Sequence, residues 1–136
     1  MKIVSTSLFF CLMVAALATG IAQQPAGPDP AWVAPAKEAA RRNPLAGRPE
    51  LAAGGQKVFN RGCAVCHGDE AHRAATKAHD LGSAAVQAQS DGALFWKITN
   101  GNARKGMPSW SSTPEPQRWQ LVLYIRSLGK TADGGR

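Results

Sequence analysis

Cysteine is scarce in this 136-residue chain, with three residues, and one of them, Cys11, sits inside an N-terminal apolar run. Beyond that run only Cys63 and Cys66 remain, with His67, His72 and His79 as the histidines. A structural zinc site needs four ligands, and these histidines do not form the usual second pair. Period-two alternation is also missing, so no stretch reads as a strand. Without alternating strands and helices, a thioredoxin-type redox dithiol lacks its βαβ setting. Residues 23–136 show no arrangement of catalytic base and nucleophile, which points away from an enzyme. Acids are few, 9 against 16 Lys+Arg, for a formal charge of +7. That excess favours an acidic partner or an anionic surface, but by itself decides little.

What is present is Arg61-Gly62-Cys63-Ala64-Val65-Cys66-His67-Gly68. Cys-x-x-Cys-His is the spacing of covalent haem attachment. On a helical turn, positions i and i+3 project from one side, so the Cys63 and Cys66 thiols can meet the two vinyl groups of one porphyrin. His67 follows at i+4 on the same side, suited to be the proximal iron ligand. The expected cofactor is one haem c, bound through two thioethers. It would occupy part of the interior, so that one small domain suffices, and its two propionates would offset about two positive charges.

The ends of the chain read as follows. Met1-Lys2 is a short positive region, Ile3 to Ala18 is apolar, and Gly20-Ile21-Ala22 has the small residues of a signal peptidase site, so residues 1–22 are expected to be a signal peptide. An uncleaved run is near the lower length for spanning a bilayer. Export to the periplasm would leave no thiol outside the haem motif, 15 basic against 9 acidic residues (+6), and Met107 as the sole methionine. Residues 23–48 form a Pro/Ala-rich arm. Four prolines and glycines within Gln23 to Pro30 disfavour helix and sheet. Trp32 is expected to anchor the arm, and Pro35 to Arg42 to form two helical turns with Glu38 and Arg42 paired.

A domain over residues 49–129 follows, then a tail over 130–136. A first helix is expected from Pro49 to Arg61, with Leu51, Gly55, Val58 and Phe59 on one face. Gly54 and Gly55 each lower helix propensity by about 1 kcal/mol, so Gly55 on the buried face marks close approach by another helix. The partner is the last helix, expected from an N-cap at Thr113 to Leu128, with Gly129 as its stop and Tyr124 against Gly55. Ser90-Asp91-Gly92 starts a third helix, with Leu94, Phe95 and Ile98 on one face and Asn100-Gly101 as its end. Asp69 to Gln89 carries no order signal. The expected fold class is all-α.

Cys63 to Gly68, the later Lys105-Gly106-Met107-Pro108, and Trp119 to Leu128 together resemble a class I cytochrome c domain over about residues 49–129. Ser90 to Gly101 is similar to a bacterial monohaem group within that class. The resemblance implies a cytochrome c fold, with N- and C-terminal helices crossing beside the haem. It also implies electron transport, and iron held by His67 and Met107 from opposite faces. Met107 lies forty residues from His67 in a Gly-Met-Pro loop suited to present one side chain. The commoner fate of a methionine is to fill a gap in a core. Members of the class commonly carry a proline soon after the haem motif, whose carbonyl orients the proximal imidazole. No proline occurs between His67 and Met107, so the partner of His67 is unassigned.

The resulting reading is an exported one-electron carrier, or an electron-transfer module of an oxidoreductase or respiratory chain. Its partners are redox proteins with an acidic docking face. No nucleic acid is expected, and a membrane only through an uncleaved signal segment or a membrane-bound partner. Lys97, Arg104, Lys105 and Arg73 are the candidate steering charges, although each taken singly reads more readily as a solvated charge, and Trp110 is a candidate propionate donor that core packing explains equally well. His72 and His79 read as solvated loop residues. The alternative is a gas sensor or small peroxidase in which Met107 is displaceable.

Overall fold

The computed structural model describes residues 32–68 and 78–133. The expected signal peptide, His72, Arg73 and the end of the tail lie outside them. The described residues form six helices and no strand: α1 (Ala36–Ala39), α2 (Ala52–Gly62), α3 (Ala64–His67), α4 (Ala84–Gln87), α5 (Asp91–Asn100) and α6 (Glu115–Asp133). A 3₁₀ turn, Pro49–Leu51, leads into α2, and a second, Ala103–Lys105, follows α5. This is the all-α cytochrome c fold.

The crossing of α2 and α6 is the main contact of the fold. A Cβ on Gly55 would lie 2.0 Å from the Gln120 carbonyl oxygen and 2.9 Å from the Leu121 Cα. The partner of Gly55 is therefore the α6 backbone at Gln120 and Leu121, one turn before the expected Tyr124. Tyr124 instead meets Phe59, with ring centroids 5.2 Å apart and planes tilted by 51°. Phe59 and Val122 are fully buried, and Val58, Leu121, Ile125 and Leu128 complete this side of the core.

Helix α5 supplies the other side through Leu94, Phe95 and Ile98. Phe95 stacks on Trp119 at 3.9 Å. Its boundaries are as expected: the Ser90 hydroxyl accepts from the Ala93 amide, and Gly101, at φ 66°, turns the chain out of the helix. Arg126 of α6 ties the start of α5 down, with Nε donating to Asp91 Oδ1 at 2.8 Å and Nη1 to the Gln87 carbonyl at 2.7 Å.

Three expectations need correction. Helix α6 starts at Glu115, with Gln117 and Arg118 amides bonding to the Pro114 carbonyl, and it runs through Gly129 to Asp133. Gly129 is not a stop, because its bare Cα takes the Gln87 side chain, within 2.6 Å of where a Cβ would be. Residues 84–87, expected to lack order, form α4, which Gln87 holds to α6 by donating to the Leu81 and Ile125 carbonyls. The arm helix is one turn, with Pro35 as its N-cap, and Glu38 pairs with Arg41 at 3.3 Å instead of Arg42.

The described part of the arm is strapped across α5 and α6. Trp32 Nε1 donates to the Gly101 carbonyl at 2.8 Å. The Ser90 hydroxyl donates to the Ala39 carbonyl, and buried Asn43 donates to the Trp119 carbonyl at 3.1 Å. Arg41 lies over Phe95 and Trp119 and pairs with Glu115 at 2.7 Å. Trp32 is thus the anchor that the sequence suggests.

Candidate functional site

The Cys-x-x-Cys-His motif occupies the junction of α2 and α3. Cys63 ends α2, its amide bonding to the Phe59 carbonyl at 2.8 Å, and its own carbonyl then accepts from the Cys66 and His67 amides at 3.1 and 2.9 Å. One helical turn therefore carries Cys63, Cys66 and His67 toward one side. Gly68, at φ 79°, leaves it in a conformation that side chains oppose. Val65, between the cysteines, faces outward and is 74% exposed.

Cys63 is half-buried against the core together with Ala64, Leu81 and Trp110. Burial, and secondarily the neighbouring Cys66, push its thiol pKa up to about 11. A redox dithiol works through a depressed thiol pKa, and the shift at Cys63 runs the other way. Among the described residues no cluster of His, Cys, Asp and Glu is able to hold a bare metal ion.

His67 has the partner that the sequence left open. Its Nδ1 lies 2.9 Å from the His79 backbone carbonyl oxygen. A carbonyl only accepts, so this bond puts the proton on Nδ1 and leaves the Nε2 lone pair for a metal. The side chain of His79 is exposed and only its backbone makes this contact. The signal available in sequence was weak, because a backbone acceptor has no residue type.

The loop bearing Met107 is built as a tight hairpin. Asn102 and Met107 exchange both backbone hydrogen bonds, at 2.8 and 3.0 Å, around the Ala103–Lys105 turn and the left-handed Gly106. Three residues on, Trp110 brings this loop to the motif: a Cβ on Gly62 would lie 2.0 Å from Trp110 Cη2. Met107 is half-buried and Arg104 and Lys105 are exposed on the hairpin. Lys97 stands apart from that exposed pair. Its Nζ donates to Gln89 Oε1 at 2.7 Å and sits 4.5 Å from the Trp32 ring, and burial lowers its pKa.

The residues present suit a haem on two counts. The His67 imidazole is oriented with Nε2 left over for a metal, and Asn102 Nδ2, in the hairpin beside Met107, is a buried donor with no partner among the described residues. Cys63, Cys66, His67 and Met107 are the groups that would hold it.

No helix among the described residues is long and apolar enough to cross a membrane. A search of curated proteins finds no match to the chain. A family model described as cytochrome C oxidase, cbb3-type, subunit III matches residues 50–125, which takes in the motif turn, the Met107 hairpin and the α2–α6 crossing. With more than half of its residues matched, the chain belongs to this family and carries a c-type cytochrome domain.

Proposed function

We propose that the chain is an exported one-electron carrier holding a single haem c, attached through Cys63 and Cys66, with His67 and Met107 as axial ligands. The observation that carries this reading is the His67–His79 contact: an imidazole on a Cys-x-x-Cys-His turn, its Nδ1 held at 2.9 Å and its Nε2 free to ligate. When bound, the haem supplies a one-electron change of iron valence. The chain's residues do the rest. The cysteines fix the position of the ring, and the His79 carbonyl fixes the rotation of the proximal imidazole. Trp110 on Gly62 and the paired backbone of Asn102 and Met107 hold a thioether on a short, stiff loop. His67 and Met107 would hold the iron, and the group would supply electron exchange that needs no substrate bound to the metal.

The family description names a subunit of a cbb3-type cytochrome c oxidase, which supports a respiratory oxidoreductase as the redox partner. Residues 1–22, with their basic start, apolar run and small-residue end, support export to the periplasm.

The test is purification of the protein from a host that attaches haem c, then acidified-acetone extraction and addition of carbon monoxide to the reduced form. Haem retained on the polypeptide and little carbon monoxide binding are expected. Haem that extracts freely overturns covalent attachment. Rapid, complete carbon monoxide binding overturns the filled sixth site and favours the ligand-binding alternative.

A further inference from the structure

The hairpin that carries Met107 contains one more group whose placement calls for a partner. Asn102 is 8% exposed, and its Nδ2 has no hydrogen-bond acceptor among the described residues. Buried side-chain donors are nearly always satisfied, and one that is not needs an explanation. Asn102 and Met107 are directly opposed in an antiparallel bridge, each amide bonded to the other's carbonyl, at 2.8 and 3.0 Å. Side chains of such a pair project from the same face. The side chains of Asn102 and Met107 therefore leave the hairpin on one side, with no hydrogen bond between them in this structure, and a thioether sulfur is a weak acceptor.

We propose that Asn102 is a positioning residue for the distal ligand: its Nδ2–H donates to the sulfur of Met107 when that sulfur is bound to the haem iron. The proposal rests on the reading of Met107 as axial ligand. A donor on the sulfur draws density away from the lone pair given to iron. Ferric iron depends on that donation more than ferrous iron does, so the bond favours the reduced form and raises the potential. It also restricts the thioether to one orientation, because Nδ2 is held by the same short hairpin.

Asn102→Leu keeps approximate shape and removes the donor. In the haem-loaded protein it should lower the reduction potential and shift the sulfur-to-iron charge-transfer band of the oxidised form, with covalent haem retained. In reduced, 15N-labelled wild type, the Asn102 side-chain amide protons should show a nuclear Overhauser contact to the Met107 methyl group, a readout independent of whether the variant folds. Met107→Ala is run in parallel. If it leaves the wild-type band in place, the ligation reading itself fails. If it abolishes the band while Asn102→Leu changes neither band nor potential, ligation stands and the Asn102 proposal is overturned. The proposal is equally overturned if Asn102→Leu alters only the pH dependence of the potential and leaves the band unmoved, since the donor would then serve a propionate. Absence of the contact in wild type also overturns it.

Discussion

The imidazole of His67 is held by the carbonyl of His79, twelve residues later, at 2.9 Å from Nδ1. Nothing of the His79 side chain takes part, and that side chain is exposed. Orientation of this imidazole is therefore a property of the backbone path after the motif. Changing His79 to Ala should leave the haem attached and both the reduction potential and the electron paramagnetic resonance of the oxidised protein unchanged. A shifted potential or an altered axial spectrum in this variant would show that the His79 imidazole, and not its carbonyl, acts on the site.

The two adjacent glycines of α2 should respond in opposite directions. At Gly55 a methyl group would collide with the Gln120 carbonyl oxygen and the Leu121 Cα, both backbone. The helices would have to separate, and Gly55→Ala should cost about 3 kcal/mol or more, the upper range for overpacking. At Gly54 the obstacle is the end of the Gln120 side chain, 2.4 Å away, which is able to swing aside. Gly54→Ala then recovers up to about 1 kcal/mol of helix propensity and should be neutral or slightly stabilising. Urea denaturation of the two variants checks this. Equal destabilisation would mean that Gln120 is as rigid at its tip as in its backbone.

Glu115 links the arm to α6. The Trp119 indole N–H, at 3.2 Å, and the Arg41 guanidinium, at 2.7 Å, hold its carboxyl below the usual carboxylate range, with the charges of Arg41 and Arg118 adding to the effect. A depressed folded-state pKa contributes stability that is present above the unfolded value and lost as pH falls through the folded one. Glu115→Gln should therefore show a shallower loss of stability than wild type between about pH 6 and about pH 3, where carboxylates titrate. Denaturation midpoints across that window test it. Parallel wild-type and variant curves would mean that the contacts of Glu115 contribute nothing.

The elements legible from sequence were those in which local chemistry and packing agree. Ser90 caps α5 and Gly101 ends it because hydroxyl and glycine meet the needs of those two positions and nothing competes with them. At Gly129 the same stop signal failed, since packing of Gln87 against the bare Cα gives the glycine a reason to stay inside the helix. Close approach at Gly55 and the helix that makes it were readable, but the level of the crossing was not, because the apolar stripe of α6 does not reveal where along that helix α2 crosses. The motif turn of Cys63, Cys66 and His67 was legible from spacing alone. The His79 carbonyl and the orphaned amide of Asn102 were not: the first is backbone, and the second acquires meaning only when the hairpin sets it opposite Met107.

Basic residues on the hairpin should steer partners. Lys105 is exposed two residues before Met107, whereas Lys97 is held by Gln89 and Trp32. Reversal of charge by Lys105→Glu should slow oxidation of the reduced, haem-loaded protein by ferricyanide about threefold or more at low ionic strength. The difference should vanish near 1 M salt, where the screening length is about 3 Å. Stopped-flow rates across a salt series give the answer. A difference that persists at high salt would indicate altered structure instead of lost steering.

Trp32 couples the arm to the Met107 loop through one hydrogen bond. Its Nε1 donates to the carbonyl of Gly101 at 2.8 Å, and Gly101 is packed so closely on the backbone of Met107 and Pro108 that a Cβ would lie 2.7 Å from the Met107 carbonyl oxygen and 2.5 Å from that of Pro108. Trp32→Phe keeps a ring against Lys97 and deletes the N–H. The cost should be about 1 kcal/mol, that of a partly buried hydrogen bond. Trp32→Ala also removes the ring and should cost about 2 kcal/mol more, less than for a fully buried aromatic because Trp32 is only half-buried. The position of the lost bond matters more than its size. Freed from Trp32, Gly101 and the backbone packed on it gain room to move, so a Met107 thioether that ligates iron as proposed should leave it before the helices unfold. In a denaturant titration of oxidised Trp32→Phe, loss of the sulfur-to-iron band should precede loss of helical circular dichroism by a wider interval than in wild type. Lys97→Met, which removes the cation 4.5 Å from the ring but keeps the N–H bond, should leave that interval as it is in wild type. If both signals of Trp32→Phe move together, the arm stabilises the whole domain and has no particular hold on the distal loop.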